Sequence, residues 1–271
     1  MKPMIDIELP DSLENYRENI EATIKPYIEI KAQENNNIPY WQSKFGGIPY
    51  FPKEHEYPTD SQGKPMYLLA QINFAETPKL EGFPEKGLLQ FYISGNDMYG
   101  MSFDDQCKQE DFRILYFPDV IEDESHLVTD FDYLPKPEDY FPIEKQSSLT
   151  FILKQAPLSV NDYQFEAKIL NIDPELKHEL FSTYQDVYDE YGDTFRSEGH
   201  KIGGYPYFTQ YDPRGLKKNQ GEEKILLLQI DSDEKRAGIM WGDVGVANFF
   251  IAEKDLKNLD FSNVLYNWDC C

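Results

Sequence analysis

Histidine and cysteine are scarce in this 271-residue chain, at four and three. Cys107, Cys270 and Cys271 make an odd number without regular spacing, so no disulfide framework is implied. None of His55, His126, His178 and His200 sits in a His-Glu-x-x-His arrangement, and Cys107 has no second cysteine close by, so a metal site has no support. Asp231-Ser232-Asp233 opens like a calcium loop, but Lys235 and Arg236 fall where an oxygen ligand and a glycine are needed. A Gly-x-Ser-x-Gly elbow, a Ser-His-Asp set and a phosphate-binding loop are all missing. These absences lead to the expectation of no metal and no organic cofactor.

Positive charge is also short. The chain has 26 Lys plus Arg against 49 Asp plus Glu, a net charge of −23. Such a surface repels phosphate backbones and anionic headgroups, so nucleic acid and membrane are disfavoured as partners. Solubility is one use of that charge, and attraction of a basic protein partner is the other. No apolar run approaches the ~18 residues of a membrane span. Met1-Lys2-Pro3-Met4-Ile5-Asp6 lacks the basic start and apolar stretch of a signal peptide. The expected location is therefore cytoplasmic, with reduced thiols.

What the chain does contain is a repeated phrase. Lys44-Phe45-Gly46-Gly47-Ile48-Pro49-Tyr50-Phe51 returns as Lys201-Ile202-Gly203-Gly204-Tyr205-Pro206-Tyr207-Phe208, an offset of 157 (203 − 46). Leu68-Leu69-Ala70-Gln71-Ile72 returns as Leu226-Leu227-Leu228-Gln229-Ile230, and Gly87-Leu88-Leu89-Gln90-Phe91-Tyr92-Ile93 as Gly245-Val246-Ala247-Asn248-Phe249-Phe250-Ile251. Three matches in one order imply an internal duplication, at about 44–93 and 201–251. Each copy is too short for a comfortable core of its own. The expectation is one domain, 1–271, in which both halves share a core.

The predicted fold is α+β: a largely antiparallel twisted sheet built from the two repeats, with a helix before each. The first helix starts at Pro10-Asp11-Ser12, carries Leu13, Tyr16, Ile20 and Ile24 at helical spacing, and is stopped by Pro26. The second starts at Asp173-Pro174-Glu175, carries Leu176, Leu180, Phe181, Tyr184, Val187 and Tyr188, and stops at Gly192. Residues 27–32, 113–117 and 149–153 read as strands. Alternation puts Leu69 and Gln71 on one face of their strand and Leu68, Ala70 and Ile72 on the other. The stretch at about 98–160, with its turn at Pro135-Lys136-Pro137, has no twin and reads as elaboration.

The paired Gly-Gly-x-Pro-Tyr-Phe segments, each followed by Leu-Leu-x-Gln-Ile and a Gly-led aromatic strand, resemble the YwqG-like family. The acidic composition and the ending Trp268-Asp269-Cys270-Cys271 are similar too. The resemblance implies a bacterial protein with one body made from two structural repeats and a biochemical role that is not established. Related families that act as immunity proteins beside toxins add an implied leaning toward protein binding.

Candidate ligand-binding residues are the strand amides Gln71, Gln90, Gln229 and Asn248, which either satisfy one another or form a neutral floor for a polar ligand. Trp241 is a candidate anchor for a partner or sugar, or a core residue. Asp97 and Asp255 are equivalent acids after the second strand of each repeat, available as an acid–base pair or as turn residues. For partner binding the candidates are Phe112, Tyr116, Glu122, Asp123 and Glu124, within an acid-rich stretch that carries aromatics. The leading expectation is a non-enzymatic protein binder, immunity-like. A small-molecule or carbohydrate binder is the alternative, and a hydrolytic enzyme with an unidentified site is third.

Overall fold

The computed structural model describes residues 7–134, 141–173, 177–219 and 224–271, with backbone alone for 177–181. The turn at Pro135-Lys136-Pro137 lies outside the described residues. So do Pro174, Glu175 and Leu176 at the second helix start, and the side chains of Leu180 and Phe181.

Ten strands form one sheet among the described residues: β1 (Lys25–Glu34), β2 (Lys44–Phe45), β3 (Tyr67–Asn73), β4 (Leu88–Ile93), β5 (Phe112–Phe117), β6 (Ser147–Ala156), β7 (His200–Gly203), β8 (Lys224–Asp231), β9 (Val246–Ala252) and β10 (Leu265–Asp269). Their order is β10-β9-β8-β7-β1-β6-β2-β3-β4-β5, and every ladder is antiparallel. Helices are few, so the chain is α+β with the sheet dominant. At the centre, β1 and β6 pair along ten residues, from Lys25↔Ala156 to Glu34↔Ser147. Four strands extend to each side of that pair.

The sheet curls back on itself. Six strands separate β4 from β9 in the order, yet the Phe91 and Phe249 rings meet at 4.9 Å. One buried cluster runs through both sides, with Ile30, Phe45, Leu69, Ile72, Phe91, Phe112, Ile202, Leu228, Ile230 and Phe249 among its members. The other faces of the same strands carry smaller clusters: Tyr50, Phe51, Leu88, Phe117 and Leu127 on one side, Phe208, Leu226, Phe250 and Leu265 on the other. Being covered on both faces, β4 and β9 are apolar at nearly every position rather than alternating.

Several local expectations are corrected. The pairing register slips between Leu68 and Ala70 and, in the matching place, between Leu226 and Leu228. The extra residue of each bulge reverses the alternation around it. Leu69 therefore joins Ile72 in the shared core while Leu68 faces Met66 and Tyr92, against the simple period-two reading. The 98–160 stretch is not all elaboration either. β5 flanks β4 as β10 flanks β9, with Tyr92↔Arg113 matching Phe250↔Leu265. Their offset is 152 (265 − 113), so a search at constant spacing passes over them.

The first helix is split into a 3-10 turn (Asp11–Tyr16) and α1 (Arg17–Ala22), without a side-chain cap. It ends at Ala22, and Pro26 sits inside β1, where a proline near a strand start is tolerated. The second, α2 (Lys177–Thr194), runs two residues past Gly192. These helices gather at one end of the sheet, where Leu13, Ile20, Leu158, Phe165, Ile169 and Tyr191 pack together.

Candidate functional site

The two glycine pairs are left-handed, with φ of 62° and 72° at Gly46 and Gly47 and 69° at both Gly203 and Gly204. A Cβ on Gly47 would fall 1.9 Å from the Gln146 side chain, and one on Gly204 would fall 2.7 Å from Tyr27 Cβ. Only glycine meets both demands.

Behind each glycine pair lies a cradle of buried side chains. Gln71 Oε1 accepts from the Tyr50 amide at 2.8 Å, and its Nε2 donates to the Tyr40 and Gln42 carbonyls. Gln229 Oε1 accepts from the Tyr207 amide at 2.7 Å, and its Nε2 donates to the Ser197 and Gly199 carbonyls. Gln90 donates to the Tyr50 carbonyl, as Asn248 donates to the Tyr207 carbonyl. All four amides are fully buried. They fasten the loops to the sheet and do not floor an open cleft. Trp241 is fully buried too, against Tyr99 and Trp268, and in this conformation cannot meet a partner or a sugar.

Two lysines complete the cradles, and sequence reasoning passed over both although each stands in the quoted repeat. Lys44 and Lys201 are 1% and 5% exposed. Lys44 Nζ donates to the Pro39 and Ile48 carbonyls, and Lys201 Nζ to the Ser197 and Tyr205 carbonyls. Burial pushes both ammoniums down to about 8. The available signal was a lysine directly before an apolar residue and the glycine pair in both of the matching sequence phrases.

The second cradle opens as a polar cleft. A cavity of about 190 Å³ is lined by Tyr27, Glu29, Lys31, Glu198, His200, Lys201, Asp231, Asp233 and Arg236, among others. His200 is 5% exposed, and its Nδ1 accepts from the Asp231 amide at 3.0 Å. A neutral imidazole has one acceptor nitrogen, so Nε2 must carry the proton. No acceptor for that N–H is found among the described residues. Asp233 Oδ2 is 3.9 Å from it, beyond hydrogen-bond range. His200 is nevertheless the first of the influences that hold the Asp233 carboxyl below its ordinary value, against an opposing cost of burial. Burial raises the Asp231 carboxyl instead, although it accepts from the Gly199 and Ser232 amides. Since Nδ1 is already committed, His200 is not poised as a metal ligand or a general base.

The remaining candidates scatter. Phe112 is buried in the shared core, contrary to a role in a surface contact. Tyr116 is half-buried against Phe261 and donates to the Lys86 carbonyl. Glu122, Asp123 and Glu124 are exposed, and Asp123 caps a short 3-10 turn through the Ser125 amide. Asp97 lies on an exposed turn after β4, whereas Asp255 lies within a short helix (Glu253–Lys257) and is half-buried. A larger opening of about 630 Å³ beside Gly46 and Gly47 lies between Leu134 and Phe141, which flank undescribed residues.

The profile of a domain of unknown function, DUF1963, matches residues 43–270. The chain belongs to that family. No curated protein matches it. The matched span runs from the residue before Lys44 to the residue after Asp269, so it takes in both glycine pairs, both buried lysines, the four amides and His200, while Tyr27, Glu29 and Lys31 of the cleft precede it. No helix among the described residues is long and apolar enough to cross a membrane.

Proposed function

We propose that the protein is a non-enzymatic binding protein whose cleft beside His200 holds a hydroxyl group of a small neutral ligand, a sugar or polyol. The observation that carries this reading is the buried His200 Nε2–H, which has no acceptor among the described residues and stands 3.9 Å from a carboxylate oxygen. Nε2 is closed to water in this conformation, so the cleft must widen locally for a ligand hydroxyl to accept from His200 and donate to Asp233. The lining sets four carboxylates, Glu29, Glu198, Asp231 and Asp233, against three cations, Lys31, Lys201 and Arg236, a near balance that suits a neutral ligand.

The first cradle supplies the test variant. Ser43 stands where His200 stands, and its Oγ accepts from the Asn73 amide at 2.9 Å as His200 Nδ1 does from Asp231. His200→Ser therefore keeps an acceptor for the Asp231 amide while removing Nε2–H. Saturation-transfer NMR with glucose, inositol and glycerol is expected to show contact with at least one in the parent protein and none in His200→Ser at unchanged fold. Silence from all three in the parent protein, or equal signals from both proteins, defeats the reading.

A second reading is a basic protein partner, favoured by the run of exposed carboxylates at Asp119, Glu122, Asp123 and Glu124 in a chain of net charge −23. If it holds, neutralising Glu122, Asp123 and Glu124 slows association with a partner captured from native lysate, most at low salt. We further propose that the chain is of the YwqG-like type, that the matched cradles are two copies of one duplicated unit, and that the protein works in the cytosol. Their parallel hydrogen bonds support the duplication, and three unpaired cysteines support the location.

A further inference from the structure

The centre of the sheet has an open seam. β6 pairs with β1 along its whole length, but with β2 only at Ser147 and Ser148. From Leu149 to Ala156, no strand among the described residues pairs with the other side of β6. An edge strand inside a sheet is normally paired, charged, bent or covered. On this one, beyond Ser148, the open side has no partner strand among the described residues and a single charge, Lys154. Ile152, Leu153, Lys154 and Gln155 are all exposed, with Ile152 at 45% and Leu153 at 49% on opposite faces. Its sequence, Leu-Thr-Phe-Ile-Leu, is rich in residues that favour strands.

We propose that this edge is a homodimer interface, in which β6 of a second copy pairs antiparallel with it about a two-fold axis close to Leu153. Charge selects the occupant. In a chain with 49 acids and 26 bases, β6 carries one charged residue, Lys154, so here two acidic molecules meet with the least local repulsion. Symmetry selects the register. A two-fold axis normal to the sheet keeps each residue on its own face. Centred on Leu153, it sets the two Leu153 side chains beside each other and places Ile152 against the stem of the partner's Lys154. Lys154 keeps its bond to Glu29 within its own chain. A strand pair of this length buries less than the ~1,600 Å² of a standard stable interface, so the dimer is a weak one.

Sedimentation velocity over a range of protein concentrations tests the proposal. The parent protein is expected to pass from monomer to dimer as concentration rises. The dimer should tighten with added salt, because screening relieves repulsion between two copies of net charge −23. Ile152→Lys with Leu153→Lys should weaken dimerisation by about tenfold or more at unchanged melting temperature, since this places like charges face to face. Phe103→Lys, a change at another exposed apolar side chain, should leave it as in the parent protein. Hydrogen exchange gives a readout without substitution: amides of residues 149–155 should gain protection as concentration rises. A protein that stays monomeric at about 100 µM, or a dimer that survives the double substitution, overturns the proposal.

Discussion

Set side by side, the two cradles differ less in what holds them than in what they leave over. Each has a glycine pair, a buried lysine on two loop carbonyls, and a glutamine whose amide bridges the loop to the sheet. In the first cradle nearly every polar atom is used. Gln90 also donates to Gln71 Oε1 at 2.8 Å, and the Tyr92 hydroxyl donates to Gln90 Oε1 at 3.0 Å. The second has Asn248 for Gln90 and Phe250 for Tyr92, and Asn248 Oδ1 is left without a partner. It also has His200 for Ser43 and Asp231 for Asn73, and here the polar cleft opens. Shared residues mark what the architecture needs. Residues that differ, and leave buried groups unsatisfied, mark where a ligand has something to gain.

The largest test of this contrast is to remove each glutamine. Gln71→Leu strands the Tyr50 amide, two loop carbonyls and one Gln90 N–H, and at ~1–3 kcal/mol per buried group should cost about 4 kcal/mol or more. Gln229→Leu strands two groups fewer, because the Ser197 carbonyl keeps Lys201 Nζ, and should cost less. Urea denaturation of both variants gives the ranking. A costlier Gln229→Leu breaks the claim that the first cradle is the more fully bonded.

The lysines should behave alike, and pH shows it. In the folded chain each gives up its proton near pH 8, against 10.5 for an ordinary lysine. Between those values the unfolded chain binds more protons, so stability rises with pH across the window. Each lysine should contribute on the order of 1–3 kcal/mol to that rise. The window closes near pH 10, where buried tyrosines such as Tyr92 and Tyr266, whose ionisation burial opposes, begin to favour the unfolded chain. Unfolding free energies at about pH 7.5 and about pH 9.5 should therefore increase in the parent protein. Lys44→Met and Lys201→Met should each remove roughly half of the increase. A flat profile would mean that neither ammonium pays for its burial.

Most of the sheet was legible in the residues. Runs such as Leu88-Leu89-Gln90-Phe91-Tyr92-Ile93 name their strands, and the repeated glycine pairs name their loops. The bulges were not legible, because no residue type compels an extra residue at Leu69 and Leu227; the register does. The pairing of β1 with β6 joins residues more than a hundred apart and leaves no periodic trace. The His200 cleft was hidden for another reason. A lone histidine signals nothing until the fold commits its Nδ1 to the Asp231 amide and leaves the buried Nε2–H without an acceptor among the described residues.

The smallest predicted effect is also the finest test of the likeness between the cradles. If the second differs from the first only in how its bonds are completed, Asn248→Gln together with Phe250→Tyr should rebuild the missing pair. The longer amide would reach Gln229 Oε1 as Gln90 reaches Gln71, and the new hydroxyl would donate to its oxygen as Tyr92 does to Gln90. Neither change alone can do so. Asn248 is one methylene too short to meet a hydroxyl placed for Gln, and a Gln beside Phe250 still has an unpaired oxygen. Arg214, stacked 4.7 Å over the Phe250 ring, retains its contact with a tyrosine ring. A double-mutant cycle by thermal denaturation should thus show a favourable coupling of about 0.5–1.5 kcal/mol, even if each single change is mildly destabilising. Additive effects would mean that the two cradles hold their loops through differently shaped interiors, and that their parallel bonds are a coincidence of the sheet.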